Sequence, residues 1–157
     1  MERQRLGMDR QRLGVGLVAA LLAVAGCSSG GVAGATSVAA TAKSADASLS
    51  EFKIALDNSN LAAGSVTFTV ANKGTIAHEF VVLKTDLSPD AIPSNGEGGI
   101  EEEGNEKIEV IDEAEDIAPG VTTSLTVDLK PGRYLVMCNV PGHFIGGMHA
   151  SVQVTSG

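Results

Sequence analysis

Three side chains that bind soft metal ions lie within eleven residues near the C-terminus of the chain. Cys138 follows the apolar run Tyr134–Met137, His143 follows a Pro-Gly turn, and Met148 follows a Gly-Gly turn. Thiolate, imidazole and thioether ligands select copper, and two histidines with one cysteine and a distant axial methionine form the blue-copper, or type 1, arrangement. The spacing therefore predicts a copper site that needs a second histidine from elsewhere in the chain.

His78 is the predicted second histidine. It opens the apolar run His78–Leu83 directly after a turn, and a strand in this position can lie beside the strand that ends at Cys138. His149 is the third and last histidine of the chain. Because it directly follows Met148, strand alternation points its side chain the other way, and we interpret it as a structural or surface residue.

Two other chemistries fit these residues less well. Structural zinc sites use Cys and His, and catalytic zinc sites keep an open position, so a set that includes Met148 is a poor match. A nucleophilic pair of Cys138 and His143 lacks an oxyanion loop and an obvious orienting group, although Asn139 lies nearby in the sequence.

The spacing resembles that of the cupredoxins, the group of plastocyanin, azurin and rusticyanin. Cys-x₄-His is similar to azurin and rusticyanin, and His-x₄-Met to plastocyanin and rusticyanin. The resemblance implies a Greek-key β-sandwich with His78, Cys138 and His143 as equatorial copper ligands and Met148 as the weak axial ligand. It also implies a backbone carbonyl of Ala77 near the metal.

One position departs from the cupredoxin pattern. Plastocyanin and azurin place Asn directly after the first histidine ligand, whereas this chain has Glu79. We expect the backbone N–H of Glu79 to serve the cysteine sulfur and its carboxylate to lower the reduction potential. By the same resemblance, His143 lies near the surface as the electron port, ringed by Pro141, Phe144 and Ile145.

Most of the C-terminal part of the chain, from about residue 50, shows the pattern of half-buried β-strands, in which apolar and polar residues alternate between turns of Gly, Pro and Asn. The segments are Phe52–Leu56, Val66–Val70, Phe80–Leu83, Leu125–Leu129, Tyr134–Met137 and Val152–Val154. Short strands at this spacing predict an all-β domain over residues 50–157, a Greek-key β-sandwich.

Residues 86–119 interrupt this pattern with an insertion rich in Asp, Glu, Gly and Pro. One interpretation is an acidic docking surface for a redox partner. The interpretation that we favour is a solvated segment without a specific role, in which only Ile108–Ile111 forms a strand.

The first 26 residues have the features of an export signal. Four arginines lie within residues 1–12, and the apolar run Leu13–Gly26 is too short to span a bilayer comfortably. Val24–Cys27 resembles the bacterial lipobox, which implies cleavage before Cys27 and lipidation of its thiol. An uncleaved helix with an incidental cysteine is the alternative.

Residues 27–49 are rich in Gly, Ser, Ala and Thr, a composition that predicts a flexible tether. With two acyl chains on Cys27 the anchor would be stable. We therefore expect an exported protein that is lipid-anchored to the outer face of the cell membrane or in the periplasm.

The charge and cysteine counts narrow the function classes. The chain has 11 basic and 19 acidic residues and a net charge of −8. Residues 1–26 hold four Arg, Glu2 and Asp9, so the rest of the chain has 7 basic and 17 acidic residues and a net charge of −10. Nucleic acid is a poor partner for such a chain, whereas a protein with a basic surface is a suitable one. If Cys27 is lipidated, Cys138 has no disulfide partner, and metal ligation gives it a role.

Together these features predict an electron-transfer protein that carries one type 1 copper ion and is not an enzyme. Its expected partner is a redox protein of the cytochrome or oxidase type. The alternative is a copper storage or delivery protein of the cell envelope, which would release copper readily to a chelator. A self-contained copper enzyme needs further histidines, and only His149 remains once His78 and His143 are assigned.

Overall fold

Nine β-strands in two sheets make up most of the part of the chain that the computed structural model describes, residues 40–102 and 104–157. They are β1 (Ser44–Ser50), β2 (Lys53–Leu56), β3 (Asn60–Ala62), β4 (Gly64–Asn72), β5 (His78–Lys84), β6 (Glu109–Ile117), β7 (Thr122–Leu129), β8 (Gly132–Met137) and β9 (His149–Thr155). A short 3₁₀ helix, Pro89–Ala91, is the one helical segment within these ranges. The predicted all-β sandwich is confirmed.

The two strands that carry the predicted ligands lie side by side. One sheet has the order β2-β1-β4-β7, and the other has the order β3-β9-β8-β5-β6. β5 and β8 are antiparallel, with Val81 opposite Met137. Of two antiparallel neighbours, one begins at the edge of the sheet where the other ends. The start of β5 therefore lies beside the end of β8, and His78 meets Cys138 there as predicted.

Strands β5 and β8 of the five-stranded sheet are buried on both faces. One face packs against the other sheet through residues such as Phe80 and Val136, and the opposite face packs against a second apolar cluster. That cluster consists of Val81, Leu83, Ile92, Ile100, Ile108, Leu135, Met137 and Phe144. Since successive side chains of a strand point to opposite faces, covering both faces explains why Phe80–Leu83 is a continuous apolar run.

The insertion at residues 86–119 is more ordered than predicted. Ile92, Ile100 and Ile108 are buried in the second cluster, so the favoured interpretation of a solvated segment is wrong for its apolar residues. The strand runs over Glu109–Ile117 rather than Ile108–Ile111, and it pairs with β5. β6 is the edge strand of its sheet, where charged side chains are normal. Its acidic composition is therefore the reason that the apolar pattern of the sequence did not predict the whole strand.

The predicted boundary between tether and domain at residue 50 is also wrong. β1 begins at Ser44, pairs in parallel with β4, and buries Ala45, Ala47 and Leu49. Its apolar face consists of two alanines and one leucine, which is too weak a pattern to distinguish from the preceding Ser- and Ala-rich residues.

The predicted export signal at residues 1–26, the lipidation site Cys27 and residues 28–39 of the tether lie outside the described residues. The described part of the chain contains no helix that is long and apolar enough to cross a membrane.

Ile100 allows the packing of the insertion to be tested. Its side chain is 2% exposed, and Ile100→Ala is expected to lower the free energy of unfolding by about 2–5 kcal/mol, because it leaves a cavity beneath the insertion. Urea denaturation measures this loss. The control Val121→Ala, at a loop position that is 44% exposed, should change stability by less than about 0.5 kcal/mol. Equal effects of the two substitutions would contradict a packed insertion.

Candidate metal centre

Cys138, His143 and Met148 lie on one loop between β8 and β9 that is closed by its own backbone. The N–H of Cys138 donates to the carbonyl of Met148 (3.1 Å), and the N–H of Met148 donates to the carbonyl of His143 (3.0 Å). Gly142 and Gly147 have φ values of 81° and 100°, which glycine adopts without the strain of a side chain. The backbone itself therefore fixes the positions from which the three side chains extend.

Three donor atoms converge where β5 begins and β8 ends. Nδ1 of His78 is 3.3 Å from Nδ1 of His143, and Sγ of Cys138 is 3.3 Å from Nδ1 of His143 and 3.9 Å from Nδ1 of His78. Each of the three residues is at most 5% exposed. An ion about 2 Å from three donors in one plane requires them to be about 3.5 Å apart. The observed separations thus fit a single small ion.

Burial controls the protonation of this group. It raises the pKa of the Cys138 thiol and lowers the pKa of the His143 imidazole, and burial together with the nearby His143 lowers the pKa of His78. Neutral imidazoles offer lone pairs for coordination, whereas the thiol must lose its proton to become a ligand. A metal ion supplies the positive charge that makes a buried thiolate favourable.

Met148 is fully buried in the same core as Cys138. A buried methionine in a β-sandwich is ordinarily a packing residue. Here it belongs to the closed loop that also carries His143, and its thioether adds a second soft donor type to the set, which favours copper over zinc. The predicted carbonyl contribution of Ala77 stays a prediction.

Glu79 makes the backbone contact that was expected of it. Its N–H donates to Sγ of Cys138 at 3.3 Å. Its carboxyl group is partly buried, and this burial, followed by the charges of Glu102, Glu113 and Glu115, raises its pKa. The effect of this carboxyl group on the reduction potential stays a prediction.

The acidic insertion is hydrogen-bonded to the ligand loop, a contact that is not apparent from the sequence. The N–H of Gly142 donates to the carbonyl of Glu97 (2.9 Å), and the N–H of Ile145 donates to the carbonyl of Gly98 (3.2 Å). A Cβ atom on Gly98 would lie 2.7 Å from Cα of Gly142. The glycine thus permits two backbones to approach closely at the position next to His143.

Asn139, directly after the cysteine, joins the same two segments through its side chain. Its Oδ1 accepts a hydrogen bond from the N–H of Ile100 (2.7 Å), and its Nδ2 donates to the carbonyl of Ile100 (3.3 Å) and to Glu102 (2.8 Å). A Cβ atom on Gly99 would lie 2.5 Å from Asn139 Oδ1. The feature of the sequence that could have indicated this contact is the Gly98-Gly99 pair within an otherwise acidic segment.

The surface over His143 differs from the predicted ring of three residues. Pro141 and Ile145 are exposed as expected, but Phe144 is only 5% exposed because it packs into the second apolar cluster. Phe52 takes its place, with its ring centroid 5.6 Å from that of His143 in a T-shaped arrangement. Phe52 was predicted to alternate within a strand; instead it has a φ of 62° in the turn between β1 and β2 and is 54% exposed.

His149 stands apart from the donor group. It is partly buried at the start of β9, and its ring centroid is 5.3 Å from that of Phe144. Burial lowers its pKa. Among the described residues, the one cluster of three or more His, Cys, Asp or Glu side chains that could hold a metal ion is His78, Cys138 and His143.

The structure is similar to solved structures of auracyanin and rusticyanin. Dithionite-reduced auracyanin from the photosynthetic bacterium Roseiflexus castenholzii is 21% identical, with 74% of this chain and 98% of that chain covered and a TM-score of 0.55. Auracyanin B is 18% identical, with coverage of 71% and 88% and a TM-score of 0.50. Rusticyanin from Thiobacillus ferrooxidans is 17% identical, with coverage of 73% and 79% and a TM-score of 0.51. At these identities the similarity shows a shared fold.

No curated protein matches the chain. A family model described as copper binding proteins, plastocyanin/azurin family, matches residues 39–155, which include all nine strands and the four predicted ligands. His78, Cys138, His143 and Met148 are arranged as a type 1 copper site, and copper is the cofactor. The chain therefore belongs to the plastocyanin/azurin family of copper-binding proteins.

Proposed function

We propose that this protein is a single-electron carrier that acts through one copper ion held by His78, Cys138, His143 and Met148. The observation that carries the proposal is the convergence of two imidazole nitrogens and one cysteine sulfur, all buried, where β5 and β8 meet. Bound copper supplies a one-electron couple between Cu(I) and Cu(II). The protein contributes the positions of the donors.

Fixed donor positions suit this role because Cu(I) and Cu(II) favour different geometries, and a site that moves little on redox change has a small reorganisation energy. The ligand loop is held by its own hydrogen bonds and by those that its N–H groups donate to the carbonyls of Glu97 and Gly98. We infer that the protein is not an enzyme. His149 is the one remaining histidine of the chain, and it packs against Phe144 rather than completing a second copper site.

Electrons are proposed to enter and leave at the edge of His143. The exposed side chains of Phe52 and Ile145 lie beside this edge, and a small apolar surface suits short-lived docking. The partner is proposed to be a redox protein of the cytochrome or oxidase type with a basic surface. The carboxylates of the insertion, including those of β6, support this choice, since charge complementarity accelerates encounter.

The location is proposed to be the cell envelope, with the protein exported and anchored through acyl chains on Cys27. The basic start, the apolar run Leu13–Gly26 and the lipobox-like Val24–Cys27 support this proposal. A tether before β1 would allow the copper domain to reach a partner in the membrane or beside it.

The copper spectrum tests the central proposal. Addition of Cu(II) to the metal-free protein is expected to give an intense blue colour from thiolate-to-copper charge transfer and a reversible one-electron wave in voltammetry. Cys138→Ser removes the thiolate and is expected to abolish the colour. Met148→Leu removes the weak axial donor and is expected to keep the colour with a changed potential, and the control His149→Gln is expected to keep both.

Two outcomes would count against an electron carrier. Stoichiometric copper binding without colour would exclude a type 1 site in this protein. Rapid loss of copper to a chelator, without reversible redox cycling, would instead favour copper storage or delivery at the cell envelope.

Cys27 allows the proposed anchor to be tested. In a bacterial host, Cys27→Ser is expected to move the full-length protein from the membrane fraction to the soluble fraction, because the acyl chains are lost. Mass spectrometry of the wild-type N-terminal peptide should show a lipid on Cys27, and Ser28→Ala serves as the control. Membrane retention of Cys27→Ser with residues 1–26 still attached would indicate an uncleaved helix instead.

A further inference from the structure

His78 has two ring nitrogens, and only Nδ1 faces the other donors. Nε2 is the one buried side-chain nitrogen or oxygen within the described ranges that has no hydrogen-bond partner. A neutral imidazole that binds a metal through Nδ1 carries its proton on Nε2, and the partner of that N–H fixes the tautomer and the orientation of the ring. The surroundings of Nε2 therefore bear directly on ligand geometry.

The nearest charged group to this nitrogen is the carboxylate of Glu51, whose Oε1 lies 3.9 Å from Nε2 of His78. The same oxygen accepts hydrogen bonds from the N–H and hydroxyl of Thr75 and from the N–H of Ile76. These bonds, the N–H of Thr75 foremost, lower the pKa of Glu51 to about 2. Three hydrogen bonds from the loop before β5 thus hold the carboxylate beside the histidine ring.

Gly74 permits this approach. A Cβ atom at this position would lie 2.7 Å from Oε1 of Glu51 and 2.8 Å from Nε2 of His78. Those separations are too short for a real side chain, so any other residue would require the carboxylate or the ring to move. The glycine, the carboxylate and the imidazole form one packed unit.

We propose that Glu51 is a positioning residue for the copper ligand His78. Its fixed carboxylate favours the tautomer with the proton on Nε2, and this tautomer keeps the lone pair of Nδ1 directed at the metal position. The negative charge also stabilises Cu(II) relative to Cu(I). The proposal rests on the copper function given above, but it concerns contacts that the protein makes without the metal.

The turn that carries Glu51 contacts both histidine ligands. Glu51 lies beside His78, and the next residue, Phe52, packs its ring against His143. A Cβ atom on Gly146 would lie 2.5 Å from the ring of Phe52, so the turn is packed tightly against the ligand loop. The β1–β2 turn thereby contacts the donor group in addition to the segments that hold the ligand loop through hydrogen bonds.

Glu51→Gln is the decisive substitution, because glutamine has the same size and still accepts the hydrogen bonds from Thr75 and Ile76 but carries no charge. In the metal-free protein, ¹⁵N NMR of the histidine side chains should show His78 changing from mainly Nε2-protonated to a mixture of tautomers. In the copper-loaded protein, the Cu(II) dissociation constant is expected to rise about tenfold or more, and the reduction potential is expected to rise. Glu51→Asp keeps the charge, so each of these three changes should be smaller in this variant than in Glu51→Gln.

Glu106→Gln is the matched control, since it removes the same charge from an exposed residue beside Lys84 and Arg133, where β5 ends and β8 begins. It should leave the tautomer of His78 unchanged. An unchanged tautomer in Glu51→Gln would overturn the proposal, even if the variant unfolds at a lower urea concentration, because Glu51 would then only brace the loop. Equal shifts of potential in both variants would overturn it as well. A wild-type protein that binds no copper would contradict the copper function while leaving the tautomer measurement intact.

Discussion

The structure depends on enclosing two imidazoles and one thiol in a space where none of them is readily charged. Burial disfavours the charged form of each group, and the pKa values of His78, Cys138 and His143 all shift in the direction that keeps them neutral. The packing of side chains alone gives no reason to bury two imidazoles and one thiol together. A cation among the donors makes the thiolate favourable, and metal binding then adds to the stability of the fold that positions it.

Rigidity at this centre comes from elements on several sides. Apolar clusters cover both faces of β5 and β8, so these two strands have little freedom to shift. The ligand loop contains several glycines and would be flexible by itself, but its N–H groups donate to the carbonyls of Glu97 and Gly98 in the insertion, and Asn139 accepts a hydrogen bond from Ile100. The insertion that looked like a solvated appendage is thus part of what keeps the donors in place.

Cys138, His143 and Met148 could be predicted from their short spacing, and His78 from its place at the start of an apolar strand, whereas the N–H of Glu79 on the sulfur was implied by the resemblance to the cupredoxins. The places where prediction failed share a different cause. Phe52 has a positive φ that breaks strand alternation, and the early start of β1 was hidden by its alanines. The contact between Glu51 and His78 joins residues distant in sequence through a turn whose geometry only tertiary packing determines. Alternation and composition carry no information about such contacts.

Two carboxyl groups flank the donor group, and they do not act alike. Glu51 is held by hydrogen bonds that lower its pKa to about 2, so it stays ionised. Glu79 is partly buried near other glutamates, and its raised pKa makes its charge easier to lose. Burial of the donors favours the redox state with less net charge, Cu(I) with thiolate, whereas a fixed negative charge favours Cu(II). Donor burial and the proposed effect of the Glu51 charge therefore act on the reduction potential in opposite directions, and a substitution at that turn would shift the potential without altering a ligand.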